Sequence, residues 1–335
     1  MHVFELTRAL IDIESITNNE ERVGNYLYDY LYELAARFGG RVERIEVEPR
    51  RFNVFAQWGE PLVVTLSTHL DTVPPYVPPR SQGGKLFGRG ACDAKGIAAA
   101  MLTAADRLAA AGEERVDLLF VVGEERGSDG ARMANQLPAT SKFLINGEPT
   151  ESILASGSKG ALRFIARTRG REAHSAYPHL GESAIEPMLR LLPELQTLGL
   201  PSDKVLGDTT INIGLIRGGT EANIIPGLCE AEMMIRLVGD PEPVKKIVDT
   251  WAAGRAEIEY GSYTPAQHFH TVPGFEAKPV AFATDVPLLT NWGAPLLFGP
   301  GSIHVAHTTE EFVAVDELRA SVGHYERLVR SLIQG

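Results

Sequence analysis

Cysteine is scarce in this chain: Cys92 and Cys229 are the only two, far apart in sequence. That excludes a disulfide framework and fits a reducing compartment. Long apolar runs are missing too, since nothing reaches the roughly eighteen consecutive apolar residues of a membrane-spanning helix. The start, Met1-His-Val-Phe-Glu-Leu-Thr-Arg, lacks the basic segment and apolar core of a secretory leader. Positive charge is in deficit, with a formal net charge of −11, which argues against a nucleic-acid or anionic-membrane partner. Repeats and low-complexity tracts are absent as well. These absences give a cytoplasmic protein as the expectation. What is present is ordinary for a globular chain, 44% hydrophobic and 22% charged, over 335 residues, more than one compact domain usually holds.

The chain is organised around Pro61-Leu-Val-Val-Thr-Leu-Ser-Thr-His-Leu-Asp-Thr-Val-Pro-Pro75. Its apolar, β-branched start bounded by prolines predicts a buried strand. His69 and Asp71 at its end lie two residues apart, on one side of an extended backbone. A ligating histidine usually gives its second ring nitrogen to a carboxylate, so Asp71 can orient His69 at a metal. Taken alone, the pair reads better as a strand-end histidine beside a polar neighbour.

Upstream, helical spacing over residues 3–40 predicts two helices, with Asn18 or Asn19 capping the second. One or two strands follow over 41–57. After the pivotal strand come a proline- and glycine-rich loop and Gly88-Arg-Gly-Ala-Cys-Asp-Ala-Lys-Gly96. An alanine-rich helix is expected over 97–110, then buried strands at 117–122 and 142–146. Strands alternating with helices indicate a sheet covered on both faces. Ligand sites in such sheets collect beyond the carboxyl ends of strands. Three strand ends deliver His69/Asp71, Glu124/Glu125 and Glu148, with Asp93 on an intervening loop. From about residue 157 the pattern becomes β-α-β-β, with a helix over 182–198 and strands near 161–168, 210–216 and 230–237. A helix over 285–292, a strand over 295–298 and a last helix from Val315 close the chain.

Acidic pairs such as Glu124-Glu125 are common in solvated turns; their combination with the histidines is not. His69, Asp93, Glu125, Glu148 and His307 form a nitrogen and oxygen donor set suited to zinc, cobalt or manganese. Five ligands exceed one tetrahedral ion but serve two if a carboxylate bridges them. Glu124, beside a ligand, is suited to act as general base.

With these residues in view, the sequence resembles the metal-dependent amidohydrolases and exopeptidases that include acetylornithine deacetylase, succinyl-diaminopimelate desuccinylase and the glutamate carboxypeptidases. The matching motifs are Ser67-Thr-His-Leu-Asp-Thr-Val-Pro-Pro75, Gly88–Gly96, Gly123-Glu-Glu-Arg-Gly-Ser, Asn146-Gly-Glu-Pro-Thr, Gly170-Arg-Glu-Ala-His-Ser-Ala-Tyr-Pro178 and Gly299-Pro-Gly-Ser-Ile-His-Val-Ala-His307. They keep the family's order and span most of the chain. The resemblance implies an α/β fold, a mixed sheet with helices on both faces as in zinc exopeptidases. A catalytic domain (1–156 and 265–335) would carry an inserted, smaller α+β lid and dimerisation domain (157–264).

Carried over by position, His69, Asp93 and Glu148 would bind one divalent ion, zinc being the expectation. Asp93, Glu125 and His307 would bind a second. Asp71 would orient His69, and Glu124 would be the base. His174 would act on the substrate carbonyl from a partner subunit of a homodimer, and the Asp93–Ala94 peptide would be cis. Asn223 and Arg236 match substrate-binding positions, although a strand-face salt bridge is an alternative for Arg236. Cys92 reads as packing, and His304 as structural. The segment from Leu297 to His307 resembles acetylornithine deacetylase more than the desuccinylases, implying deacylation of a small N-acyl amino acid. A dipeptidase or carboxypeptidase is the alternative. An inactive metabolite-binding or scaffold relative would lack Glu124 or a ligand, and every position is filled.

Overall fold

The structure is a computed structural model that describes residues 2–138 and 141–334. The chain forms two compact units: Met1–Ser156, Phe269–Lys278 and Thr284–Gly335 in the first, Gly157–His268 and Pro279–Ala283 in the second. The first is built on a mixed six-stranded sheet. From one edge its strands are Arg41–Glu48, Arg51–Gln57, Val116–Val121, Val64–His69, Phe143–Asn146 and Ala294–Leu297. The last four run parallel, and the first two are antiparallel.

Side chains alternate along these strands with period two. Val64, Leu66, Leu118, Phe120 and Ile145 enter a core completed by the helices Val3–Asp12, Glu21–Phe38, Lys95–Ala110 and Val315–Gln334. Leu119, Val121 and Leu144 point the other way, onto Ala131, Ala134, Leu289 and Trp292. The expected sheet with helices on both faces is therefore present. Alanine dominates Lys95–Ala110 because that helix is enclosed, with Ala98, Ala99, Ala100 and Ala104 fully buried.

Three local expectations are corrected. Neither asparagine caps the second helix: Asn18 lies at φ 76° and Glu20 occupies the cap position without a capping bond. The Glu20 carboxylate is instead turned to Arg51. Residues 285–292 form two 3-10 turns, Val286–Leu288 and Thr290–Trp292, because Pro287 and Gly293 deny the segment a full α-helix. In the second unit the α-helix covers only Ile185–Leu191 and continues as the 3-10 segment Leu192–Thr197, where Pro193 removes a donor.

That second unit is an antiparallel four-stranded sheet in the order Thr210–Gly218, Leu228–Leu237, Gly160–Arg169 and Glu257–Thr264. One face carries Leu162, Phe164, Ala166, Met233 and Ile235 against the helices Ile185–Leu191 and Pro241–Ala252. The other carries cross-strand ion pairs: Arg163–Glu232 at 2.5 Å, Arg167 with Glu230 and Glu259, and Arg169–Glu257 at 2.8 Å. Thr210–Gly218 lies at the sheet edge and is largely exposed.

Arg51 ties three elements of the first unit together. Its guanidinium donates to Glu20 (3.0 Å), Glu48 (2.9 Å) and Asp129 (2.6 Å), and the Glu20 side chain is fully buried. Arg51→Met would leave that carboxylate buried and unpaired. The expected loss is about 3–5 kcal/mol in denaturant unfolding, and an unchanged midpoint would disprove the coupling.

Asp117 is fully buried; among the described residues its carboxyl has the Ser141 hydroxyl at 3.4 Å, which is itself 2.5 Å from that of Thr65. Burial pushes its pKa up to about 7. The folded protein thus binds a proton that the unfolded chain releases near pH 4, the ordinary aspartate range. Its contribution is complete below that pH and is lost as pH rises towards 7. Asp117→Asn should raise the melting temperature at pH 8 and leave it nearly unchanged at pH 4. An equal shift at both pH values would contradict this.

Candidate metal centre

Three adjacent parallel strands end on one edge of the sheet, and each contributes acid or imidazole at or just beyond its last residue. His69 ends Val64–His69, and Asp71 follows it. Glu124 and Glu125 lie in a 3-10 turn after Val116–Val121, entered through Gly123 at φ 77°. A Cβ on Gly123 would lie 2.0 Å from Asp129 Oδ1, so glycine is required there on both counts. Glu148 follows Phe143–Asn146, with Gly147 donating its N–H to Ser67 O at 2.7 Å. Asp93 precedes the alanine-rich helix, and its peptide bond to Ala94 is cis.

Asp71 is the junction of this edge. Its carboxylate accepts the Thr17 hydroxyl at 2.8 Å and the N–H groups of Glu124 (3.0 Å) and Glu125 (3.1 Å). His69 Nδ1 donates to the Asp71 main-chain oxygen at 3.0 Å, with the carboxylate at 3.5 Å. The carbonyl is therefore the nearer partner of the ring. In this tautomer Nε2 presents a lone pair, yet it lies 3.0 Å from Asp93 Oδ1. Two acceptors at that distance need a proton or a cation between them.

His307, in a loop at φ 65°, brings its Nε2 to 3.2 Å from Asp93 Oδ2 and 3.0 Å from Glu125 Oε2. His69, Asp93 and Glu148 thus form one group that can hold a metal ion, and Asp93, Glu125 and His307 form another, each with donor atoms within 4.8 Å. Asp93 belongs to both.

The electrostatics fit cations. Burial would raise the Asp93 pKa, but bonds to His307 and His69 hold it low. The bonds to Asp93 and Glu125 raise His307 to about 10. Glu148 is pushed well above the usual carboxylate range by burial and by Asp93. Glu124, half-buried beside the group, is raised by burial and by Glu148. Asp285 is fully buried with neither oxygen hydrogen-bonded among the described residues, and burial raises it to about 6. Such an accumulation of acid, with nitrogen and oxygen donors converging on two points, suits two divalent ions.

His174, Asn223 and Arg236 lie in the second unit. His174 is exposed, and its Nδ1 accepts the N–H of Ala176 at 3.1 Å, leaving Nε2–H as a donor. Ser175 N–H donates to Asn223 O at 2.9 Å, so these two residues are neighbours. Arg236 is on another sheet, and no ion pair to it forms among the described residues. His304 is exposed, and Cys92 is fully buried, with Sγ 3.7 Å from Ser302 O. Sequence reasoning missed Thr17, Asp285, Arg89 and Glu311. Arg89 does sit inside the quoted Gly88–Gly96 motif, but nothing there distinguishes it from a solvated arginine.

No helix among the described residues is long and apolar enough to cross a membrane. Residues 65–331 match the model of peptidase family M20/M25/M40. The chain is 39% identical to a peptidase M20 domain-containing protein of Schizosaccharomyces pombe, over 98% of this chain and 84% of that one. It is 36% identical to a probable carboxypeptidase of Aspergillus oryzae, over 98% and 86%. A tripeptidase from Staphylococcus aureus shares the fold, with a TM-score of 0.82 at 20% identity over 100% of this chain and 98% of that one. The chain therefore belongs to peptidase family M20/M25/M40 and is a metallopeptidase-type hydrolase.

Proposed function

We propose that this protein hydrolyses the amide of small N-acyl amino acids, short peptides with a free carboxyl end included. The two substrate types share one chemistry, because the last residue of a dipeptide is an amino acid whose nitrogen carries an acyl group. The observation that carries the reading is the pair of donor groups sharing Asp93, with Glu124 beside them. His69, Asp93 and Glu148 would hold one ion and Asp93, Glu125 and His307 the other, zinc by donor type, with cobalt or manganese as substitutes. When bound, the ions supply Lewis-acid activation of water and of the amide carbonyl.

The protein's own groups do the rest. Asp71 holds the main chain of Glu124 and Glu125 and, through its own carbonyl, the tautomer of His69. A Glu124 carboxylate oxygen takes the proton from the attacking water and returns it to the departing nitrogen. His174 Nε2–H donates to the carbonyl oxygen as negative charge builds there. The Arg236 fork suits the substrate carboxylate, and the Asn223 amide suits a polar group nearby.

We further propose that His174 is delivered by the second unit of a partner copy, so that this unit is a lid and dimerisation domain, 157–264 by motif. The supporting observation is the exposed edge strand Thr210–Gly218. Its Ile213, Leu215 and Ile216, together with Leu189 on the neighbouring helix, are large, apolar and exposed. Apolar area next to an open strand edge is suited to pairing with a second copy.

Metal-loaded protein is to be assayed with N-acetyl and N-succinyl amino acids, dipeptides and dipeptides amidated at the carboxyl end. Turnover is expected wherever the α-carboxylate is free and absent when it is amidated. Cleavage confined to amidated substrates would overturn the reading, and the preferred acyl group separates deacylase from carboxypeptidase.

His174→Ala and Glu124→Gln proteins are each expected to retain metal, the latter losing about 10²–10⁴-fold in turnover. Mixed under subunit exchange, the two should recover activity, since one site of each heterodimer regains both groups. Freely exchanging subunits that recover none would remove His174 from the partner's site.

A further inference from the structure

A second pair of charges, Arg89 and Glu311, is buried beneath the loops that carry the metal-site residues. Both residues are 1% exposed, and Arg89 Nη1 donates to Glu311 Oε2 at 2.6 Å. Withdrawing both charges from water is costly unless their remaining donors and acceptors are also met. Here they are met by main-chain groups of three separate loops. Glu311 Oε1 accepts the N–H groups of Gly90 (3.0 Å), Cys92 (3.2 Å) and Asp93 (3.2 Å). Arg89 donates to the carbonyls of Pro75 (3.2 Å), Thr308 (3.1 Å) and His307 (3.5 Å).

Those loops are the ones that follow His69 and Asp71, that carry Asp93, and that carry His307. Apart from the Cys92 thiol, which lies 3.7 Å from Glu311 Oε1, these bonds reach the backbone of a ligand loop, and none goes to a donor atom of the cluster. We propose that Arg89 and Glu311 are positioning residues: the pair fixes the main chain of Asp93 and His307 relative to the His69 strand end. Asp93 then faces both donor groups before any ion arrives. Arg89 suits the task because its planar fork addresses a carboxylate and several carbonyls together, which an ammonium cannot. A purely structural staple would account for lost stability, but not for the choice of Asp93 and His307 as its anchor points.

This inference rests on the two-metal reading, and the test separates them. Metal-depleted wild type, Arg89→Met, Glu311→Gln and Arg89→Lys are to be titrated with Co²⁺. Affinity and the visible ligand-field spectrum are recorded, then kcat and KM at saturating metal. Outer partners of metal ligands typically change affinity or activity about 10–100-fold. Arg89→Met and Glu311→Gln are therefore expected to bind Co²⁺ 10–100-fold more weakly, with an altered spectrum, lowered kcat and near-wild-type KM. Arg89→Lys should fall between them and wild type, and it decides the question with Glu311→Gln if Arg89→Met does not fold. Variants with wild-type cobalt affinity and spectrum, whatever their melting temperature, overturn this proposal alone. Wild type that takes up no cobalt overturns the metal reading and this one with it.

Discussion

Crowded carboxylates are the constraint that governs this structure. Asp71, Asp93, Glu125, Glu148 and Asp285 gather at one end of a sheet with Glu124 at their side, and most are buried. Buried anions repel one another and lose hydration, which is why Glu124 and Glu148 resist ionisation. A protein keeps such an arrangement only where cations or strong hydrogen bonds offset it. Asp71 is offset by hydrogen bonds from Thr17 and two N–H groups. Asp93 is offset by two imidazoles. Glu125 shares the His307 imidazole with Asp93, and for Glu148 the offset has to come from what binds there, so this arrangement of acid favours cations.

The sheet makes that crowding possible. Parallel neighbours put their carboxyl ends on one edge, so successive strands deliver acid to the same place without long loops. Close approach then depends on small residues. At Gly147 a Cβ would lie 2.4 Å from Ile97, and at Gly96 it would lie 2.2 Å from the carbonyl of Ala91. The alanine-rich helix obeys the same restriction, because larger side chains would push Asp93 away from the strand ends.

Much of this was legible in the sequence, for a physical reason. Strands buried on both faces read as apolar runs, and polar residues at their ends stand out against them, so His69, Asp71, Glu124, Glu125 and Glu148 could be found by position. The mixed sheet with covered faces followed from the same alternation. Arg89 and Glu311 were not legible, because each is identified by a partner more than two hundred positions away, and a charged residue in a loop normally faces water. Asp285 was hidden for a related reason: read as the start of a helix, it passes for an ordinary first-turn acid. Pro287 breaks that helix into 3-10 turns and leaves the carboxylate buried. The displaced cap at Asn18 and Asn19 has the same origin, since Glu20 is claimed by Arg51 across the fold.

Arginine serves the two units in different ways, and the difference follows from burial. In the sheet of the second unit, Arg163, Arg167 and Arg169 pair with glutamates across strands in partly or fully exposed positions. Exposed pairs of that kind are worth about 0–1 kcal/mol each; they set register and solubility more than stability. In the first unit Arg51 and Arg89 are almost entirely enclosed, and each holds several oxygens drawn from different segments. Removing one partner there strands a charge in a low-dielectric interior, so the segments stay together or the site comes apart. Loops that must hold a multiply charged cluster in fixed geometry have little apolar surface of their own to pack. Buried guanidinium groups, by gathering main-chain oxygens and carboxylates at once, supply the rigidity that packing cannot.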